Sequence, residues 1–252
     1  MSSIGTGYDL SNSTFSPDGR VFQVEYASKA IENAPTAIGL RTSTYTLLAL
    51  AKLRPSALLT PNTDRRISHV DRHAGVAFSG LVPDGMHFVK RAREEAGGWR
   101  KNYKERISGK VLAERMGGYL QAYTMYSSVR PFGIAGIIGA VDEDGPQLYM
   151  VEPSGLYWGY HATAAGKGRQ LARTELEKLD LSSLSPADAV KHAARIILLT
   201  HDDAKEKDIE LEMSWVAVKG AGEGEVGPRE AGIHEFVPRE LIEEAVRAAR
   251  EE

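Results

Sequence analysis

His69, Asp71 and His73 place three side chains able to bind a metal within five residues. On a helix, histidines at i and i+4 share a face and could hold an ion. In extended sequence, which these residues favour, the imidazoles stand roughly 13 Å apart, too far for one ion. No metal or other cofactor is expected. Gly166-Lys167-Gly168 is no phosphate loop either: Gly168 follows the lysine in place of Ser or Thr, and no glycine stands five before Gly166. Trp99, Trp158 and Trp215 lie far apart and read as core or subunit contacts, not a stacking platform. The sequon Asn12-Ser13-Thr14 reads as accidental.

Bulk properties narrow the classes. The chain has 252 residues and no cysteine, which removes disulfides and thiolate metal sites. Its 31 basic and 34 acidic residues give a net charge of −3, so no global field draws it to nucleic acid or an anionic membrane. No charged and apolar leader pattern and no run of 18 apolar residues is visible, so the expectation is a soluble intracellular protein.

The elements that must position any site follow from periodicity. Thr36–Arg41 and Tyr45–Ala51 read as strands, and Arg65–His69 and His73–Ser79 as shorter ones. Thr36 is then a β-former at the start of an edge strand. A helix is predicted from Pro83-Asp84 to about Tyr103, weakened by Gly97-Gly98, and another after Ser108 as N-cap. Gly133–Val141 is nearly all apolar, as a strand covered on both faces requires. Gln147–Glu152 and Leu156–His161 follow as strands, then helices over Lys167–Leu179 and from Ser185-Pro186 to His201. Glu212–Val218 and Ile233–Val237 read as a last strand pair, and Pro238–Arg250 as a terminal helix. Strands that arrive as hairpins disfavour a doubly wound sheet. The predicted fold class is α+β, with two antiparallel sheets face to face and helices outside, an αββα sandwich. Residues 1–34 read as an arm and helix before a single domain over 35–252, in which the glycine-rich 219–232 is expected to be an exposed, flexible loop.

One stretch is more specific. Tyr8–Ala27 reads YDLSNSTFSPDGRVFQVEYA: an aromatic–acidic pair, a polar run, the turn Ser16-Pro17-Asp18-Gly19, then an amphipathic helix carrying Val21, Phe22, Val24, Tyr26 and Ala27. This run resembles the N-terminal element of α-type subunits of the 20S proteasome. Thr36-Ala37-Ile38-Gly39, Val70-Asp71-Arg72-His73, Ser79-Gly80-Leu81, Tyr126–Gly133 and Gln147–Gly155 extend the likeness. The opening MSSIGTGYDLS and the segment YTMYSSVRPFG are most similar to the alpha-type 3 kind, the seventh position of the α ring.

The resemblance implies the N-terminal-nucleophile hydrolase fold and a seven-membered ring stacked on a catalytic β ring. It implies α and β subunits, regulatory caps and unfolded polypeptide in transit as partners. Ubiquitin-dependent and ubiquitin-independent degradation in cytoplasm and nucleus would be the setting. In catalytic β-type relatives the first core residue is a threonine whose own α-amine takes the proton. Here Thr36 follows 35 residues, with Pro35 before it, so its nitrogen is an amide and no base. No lysine lies between Lys52 and Lys90, the stretch where active relatives place theirs. The expectation is therefore no catalytic residue; the competing reading is an active threonine hydrolase with a 35-residue propeptide. By resemblance, Tyr8, Asp9, Pro17 and Tyr26 form the gating cluster, with aromatic rings on the proline and Asp9 accepting a hydroxyl bond. Residues 1–7 would be the plug. Val21, Phe22 and Val24 would face a ring neighbour. Arg66, with Arg65 beside it and Gly80 in the wall, would receive the C-terminal tail of an activator through a bidentate guanidinium–carboxylate pair.

Overall fold

The computed structural model describes residues 7–53, 56, 58–60, 63–201, 209–219 and 227–251. In chain order the elements are α1 (Phe22–Glu32), β1 (Ala37–Arg41), β2 (Tyr45–Leu53), β3 (Ile67–Asp71), β4 (Ala74–Gly80), α2 (Val82–Tyr103) and α3 (Gly109–Ala122). Next come β5 (Ile134–Asp142), β6 (Gly145–Val151), β7 (Tyr157–Gly159), β8 (Ala162–Ala165), α4 (Arg169–Leu176) and α5 (Pro186–Leu199). The chain closes with β9 (Ile209–Ala217), β10 (Glu235–Phe236) and α6 (Arg239–Glu251).

Local chemistry sets the helix starts. Ser108 Oγ accepts from Val111 N–H at 3.3 Å, and Ser185 Oγ from Asp188 N–H at 3.2 Å, each satisfying a donor that a first turn leaves open. Pro186 follows in the first turn, where its missing N–H is not needed. The Gly97-Gly98 pair does not interrupt α2, which runs 22 residues to Lys104 in left-handed backbone (φ 63°).

Alternation along the strands then builds four layers. One antiparallel sheet has the order β10-β9-β2-β1-β8, the other β3-β4-β5-β6-β7. Ile38, Leu40, Leu47 and Trp215 bury the outer face of the first under α4, α5 and α6. Val76, Phe78, Ile138 and Val151 bury the outer face of the second under α2 and α3, with Phe88, Leu112 and Met116. Between the sheets lie Leu48, Leu50, Ile67, Ile137, Leu148 and Met150. The fold is the expected αββα sandwich. Strand β5 is buried from Ile134 to Val141, as its apolar run requires.

Four expectations need correction. Leu156–His161 is not one strand. It holds β7 only, and the chain then crosses to the other sheet as β8, which the sequence reading missed. Ala162-Thr163-Ala164-Ala165 has three alanines, which strands disfavour, against one threonine; pairing with β1, in the register Ala37↔Ala165, imposes the strand. Consequently β1 is interior and Thr36 does not begin an edge strand. The helix expected over Lys167–Leu179 is the shorter α4, and Val21 lies outside α1 as its extended N-cap (φ −109°). The centre of the expected 219–232 loop, 220–226, and plug residues 1–6 lie outside the described residues.

Candidate functional site

Thr36 sits where the arm enters the sandwich. Its backbone continues the β1–β2 ladder, with Ala51 N–H donating to Thr36 O at 2.9 Å. The side chain follows Ile38 onto the outer face of the sheet. There its hydroxyl oxygen accepts from Gly168 N–H at 3.1 Å and from the Thr200 hydroxyl at 3.0 Å, and the residue is 4% exposed. Lys167 N–H donates to Ala34 O at 2.8 Å, which closes the β8–α4 turn over the entering chain. The adjoining cavity is only about 20 Å³. Lys52, one residue beyond Ala51, points the other way, between the sheets, where its ammonium meets Asp64 at 3.3 Å and Glu210 at 3.4 Å. Hydroxyl and ammonium therefore face opposite sides of one sheet, and the cavity beside Thr36 is too small to admit a peptide substrate.

The preceding chain is fastened to the body at distinct points. In the turn, Gly19 (φ 78°) donates its N–H to Ser16 O at 2.9 Å, and Ser16 Oγ accepts Arg20 N–H at 3.0 Å. Arg20 holds Glu25 through paired nitrogens, Nε to Oε1 at 2.7 Å and Nη2 to Oε2 at 2.5 Å, near the N-terminus of α1. Of the expected gating cluster, Tyr26 and Asp9 are joined: the Tyr26 hydroxyl donates to Asp9 Oδ2 at 3.3 Å, and Gln23 Nε2 donates to Asp9 O. Tyr26 is 39% exposed, and Tyr8 and Pro17 are also exposed. On α1, Ile31 enters the core between the sheets and Phe22 is buried within the chain, while Val21 and Val24 stay half-buried. Phe22 is thus already covered by its own chain, whereas Val21 and Val24 keep part of their surface exposed.

Arg66 and Gly80 stand at the same end of the β3–β4 pair, since Phe78 N–H donates to Arg66 O at 3.3 Å. Gly80 has φ 129°, and an added Cβ there would lie 2.1 Å from Gly133 O, so only glycine fits. Arg65 lies over the Phe236 ring at 4.4 Å and lines a groove of about 810 Å³ beside α6. Arg66 is not among the residues lining that groove. Burial lowers the Arg66 pKa against the pull of Asp64 and Glu212, and its Nε is buried with no hydrogen-bond partner.

Known proteins match this sequence in order along the chain. The N-terminal signature of A-type proteasome subunits matches residues 8–30, the arm and α1. The general proteasome subunit family matches residues 31–216, most of the sandwich. The chain belongs to the proteasome subunit family, α-type. The probable alpha type-7 proteasome subunit of Schizosaccharomyces pombe is 55% identical over 250 residues, covering 99% of this chain and 94% of that protein. The alpha type-3 proteasome subunit of Acanthamoeba castellanii is 55% identical over 249 residues, covering 99% and 95%. The probable alpha type-7 proteasome subunit of Saccharomyces cerevisiae is 52% identical over 255 residues, covering 100% and 85%. The likeness to the alpha-type 3 kind therefore runs through nearly the whole chain.

This α-type chain carries further polar contacts that sequence reading missed. Asn12, read only as an accidental sequon, is 4% exposed, and its amide donates to Tyr123 O at 2.8 Å and Val129 O at 2.9 Å. An amide so engaged is closed to a glycan. His234 is buried before β10; its Nε2 meets Ser214 Oγ at 2.8 Å and its Nδ1 meets His69 Nδ1 at 2.7 Å. His73 turns away from that pair, its Nε2 on Ile107 O at 2.7 Å. Among the described residues no cluster of three or more His, Asp or Glu could hold a metal. The one available signal was alternation: it sets His69 apart from Val70, but it does not bring in a histidine 165 residues away.

Proposed function

We propose that this chain is a non-catalytic α-ring subunit of the 20S proteasome core particle. It serves ring assembly, gating of substrate entry and docking of regulatory caps, while β-type partners hydrolyse the peptide. The observation that carries this reading is Thr36: an amide nitrogen where a threonine nucleophile needs an amine, and a buried hydroxyl already accepting from Gly168 and Thr200. The competing hydrolase reading requires a chain beginning at Thr36. Release there would free the segment whose Ile31 fills the core between the sheets.

The arm supplies the gating part of the proposal. Its Asp9–Tyr26 contact is exposed, with Gln23 on Asp9 O as a second fastening, the kind of small polar arrangement that can exchange for another. Arg66 supplies the docking part: it stands at the same end of the β3–β4 pair as Gly80, and a guanidinium can pair with a carboxylate such as a chain terminus. Cytoplasm and nucleus, and degradation with or without ubiquitin, are the setting that fits this role. Deleting residues 1–8 and measuring hydrolysis of a short fluorogenic peptide by the assembled, activator-free particle tests the proposal. The expected result is a raised basal rate with assembly intact by native mass spectrometry. An unchanged rate would make the arm a passive tail, and an intact mass beginning at Thr36 would overturn the non-catalytic reading.

A further inference from the structure

We infer that Asn12 is the pivot of the N-terminal arm, a positioning residue that fixes where the arm leaves the body and so how far it reaches. This inference rests on the gating reading above. Both amide hydrogens of Asn12 are engaged, one on the carbonyl of Tyr123, the C-cap of α3, the other on the carbonyl of Val129. Two acceptors leave the amide a single orientation, with Oδ1 buried and unpartnered. A buried amide that leaves one atom unsatisfied is a costly way to hold an ordinary tail.

The receiving loop is itself fixed. Arg130, next to Val129, pairs with Asp84 through two nitrogens at 2.7 and 2.8 Å, and Asp84 also accepts Gly133 N–H at 3.0 Å. Asp84 lies in the first turn of α2, so Asn12 is tied to α2 and α3 together. On the N-terminal side of Asn12, the described fastenings of Asp9 are to Tyr26 and Gln23 on α1, with Tyr26 39% exposed. On its C-terminal side Phe15 is 70% exposed. Each position has two hydrogen bonds, but Asn12 is 4% exposed whereas the Asp9 carboxylate is held by a Tyr26 that is 39% exposed, so the two fastenings are unequal in burial. The outer contact opens while the inner one holds, and the arm turns about Asn12 instead of peeling away.

The test uses assembled 20S particles carrying Asn12→Ala, Asn12→Ser or a deletion of residues 1–8, plus the deletion combined with Asn12→Ala. Activator-free hydrolysis of a fluorogenic peptide is the readout. Losing both bonds is expected to raise the basal rate about 3- to 10-fold, with Asn12→Ser between wild type and Asn12→Ala because a hydroxyl donates once. In the deletion background Asn12→Ala adds nothing, since the arm it positions is gone; a merely structural role would act in both backgrounds. Wild-type rates for both point variants beside a raised rate for the deletion would overturn the Asn12 inference and leave gating standing. A deletion without effect would remove the gating reading, and this inference with it.

Discussion

Replacing Thr36 by alanine removes the oxygen on which Gly168 N–H and the Thr200 hydroxyl converge. The expected cost is about 1–3 kcal/mol, the penalty of leaving a buried donor unpaired. Peptide hydrolysis by the assembled particle should stay at the wild-type rate once folded material is compared. A loss of one class of peptidase activity in step with the substitution would return catalysis to this chain. The same residue shows what a one-residue argument from sequence can do. That its nitrogen is an amide follows from Pro35 alone, whereas the burial of its hydroxyl depends on residues 132 and 164 positions away.

Among the elements, β10 is two residues long and yet completes a sheet. His234, just before it, fastens it: its N–H donates to Arg72 O at 2.6 Å, and its ring occupies the space over Gly75, where a Cβ would lie 2.0 Å from Nε2. Burial, with His69 adding to it, pushes the His234 pKa down to about 3, and burial with Arg93 and Arg65 lowers that of His69. Unfolded histidines titrate near 6.5. Below that pH the unfolded chain binds protons that the folded chain refuses. The stability of the neutral pair is therefore complete above about pH 6.5 and is lost as pH falls toward 3. Thermal unfolding of the particle between pH 8 and 5 should fall more steeply for wild type than for His234→Gln, which is less stable at pH 8 but lacks the buried imidazole. Parallel slopes would show that the pair does not govern the acid limb.

For the molecule in its entirety, the two sheets are joined by charge as well as by apolar packing. Lys52, 1% exposed, stands 3.3 Å from Asp64, 3.4 Å from Glu210 and 3.9 Å from Glu212. Glu212 lies on β9 of one sheet and accepts at 3.1 Å from Arg66 N–H, which leads into β3 of the other. Burial raises the Glu212 pKa against those partners. Lys52→Met should cost about 1–3 kcal/mol, because of its three carboxylate partners only Glu212 is buried and loses its cation without water to replace it. Adding Glu212→Gln should recover part of it, a coupling readable by chemical denaturation of the two single variants and the double. Additive losses would mean that the ammonium and Glu212 do not act as a unit.

Features that depend on near neighbours along the chain were legible before any fold was known. Ser108 and Ser185 announced their helices, the apolar run to Val141 announced a strand covered on both faces, and Pro35 made the Thr36 nitrogen an amide. The Tyr8–Ala27 pattern announced the arm. Features that depend on distant partners came only with the folded chain. Ala162–Ala165 became a strand because β1 offered an unpaired edge, and Arg65 met the ring of Phe236, 171 residues away. Asn12 met Tyr123 and Val129 across more than a hundred residues. A hydrogen bond is chosen by proximity in space, and periodicity fixes only the side of an element on which a residue stands, not what waits there.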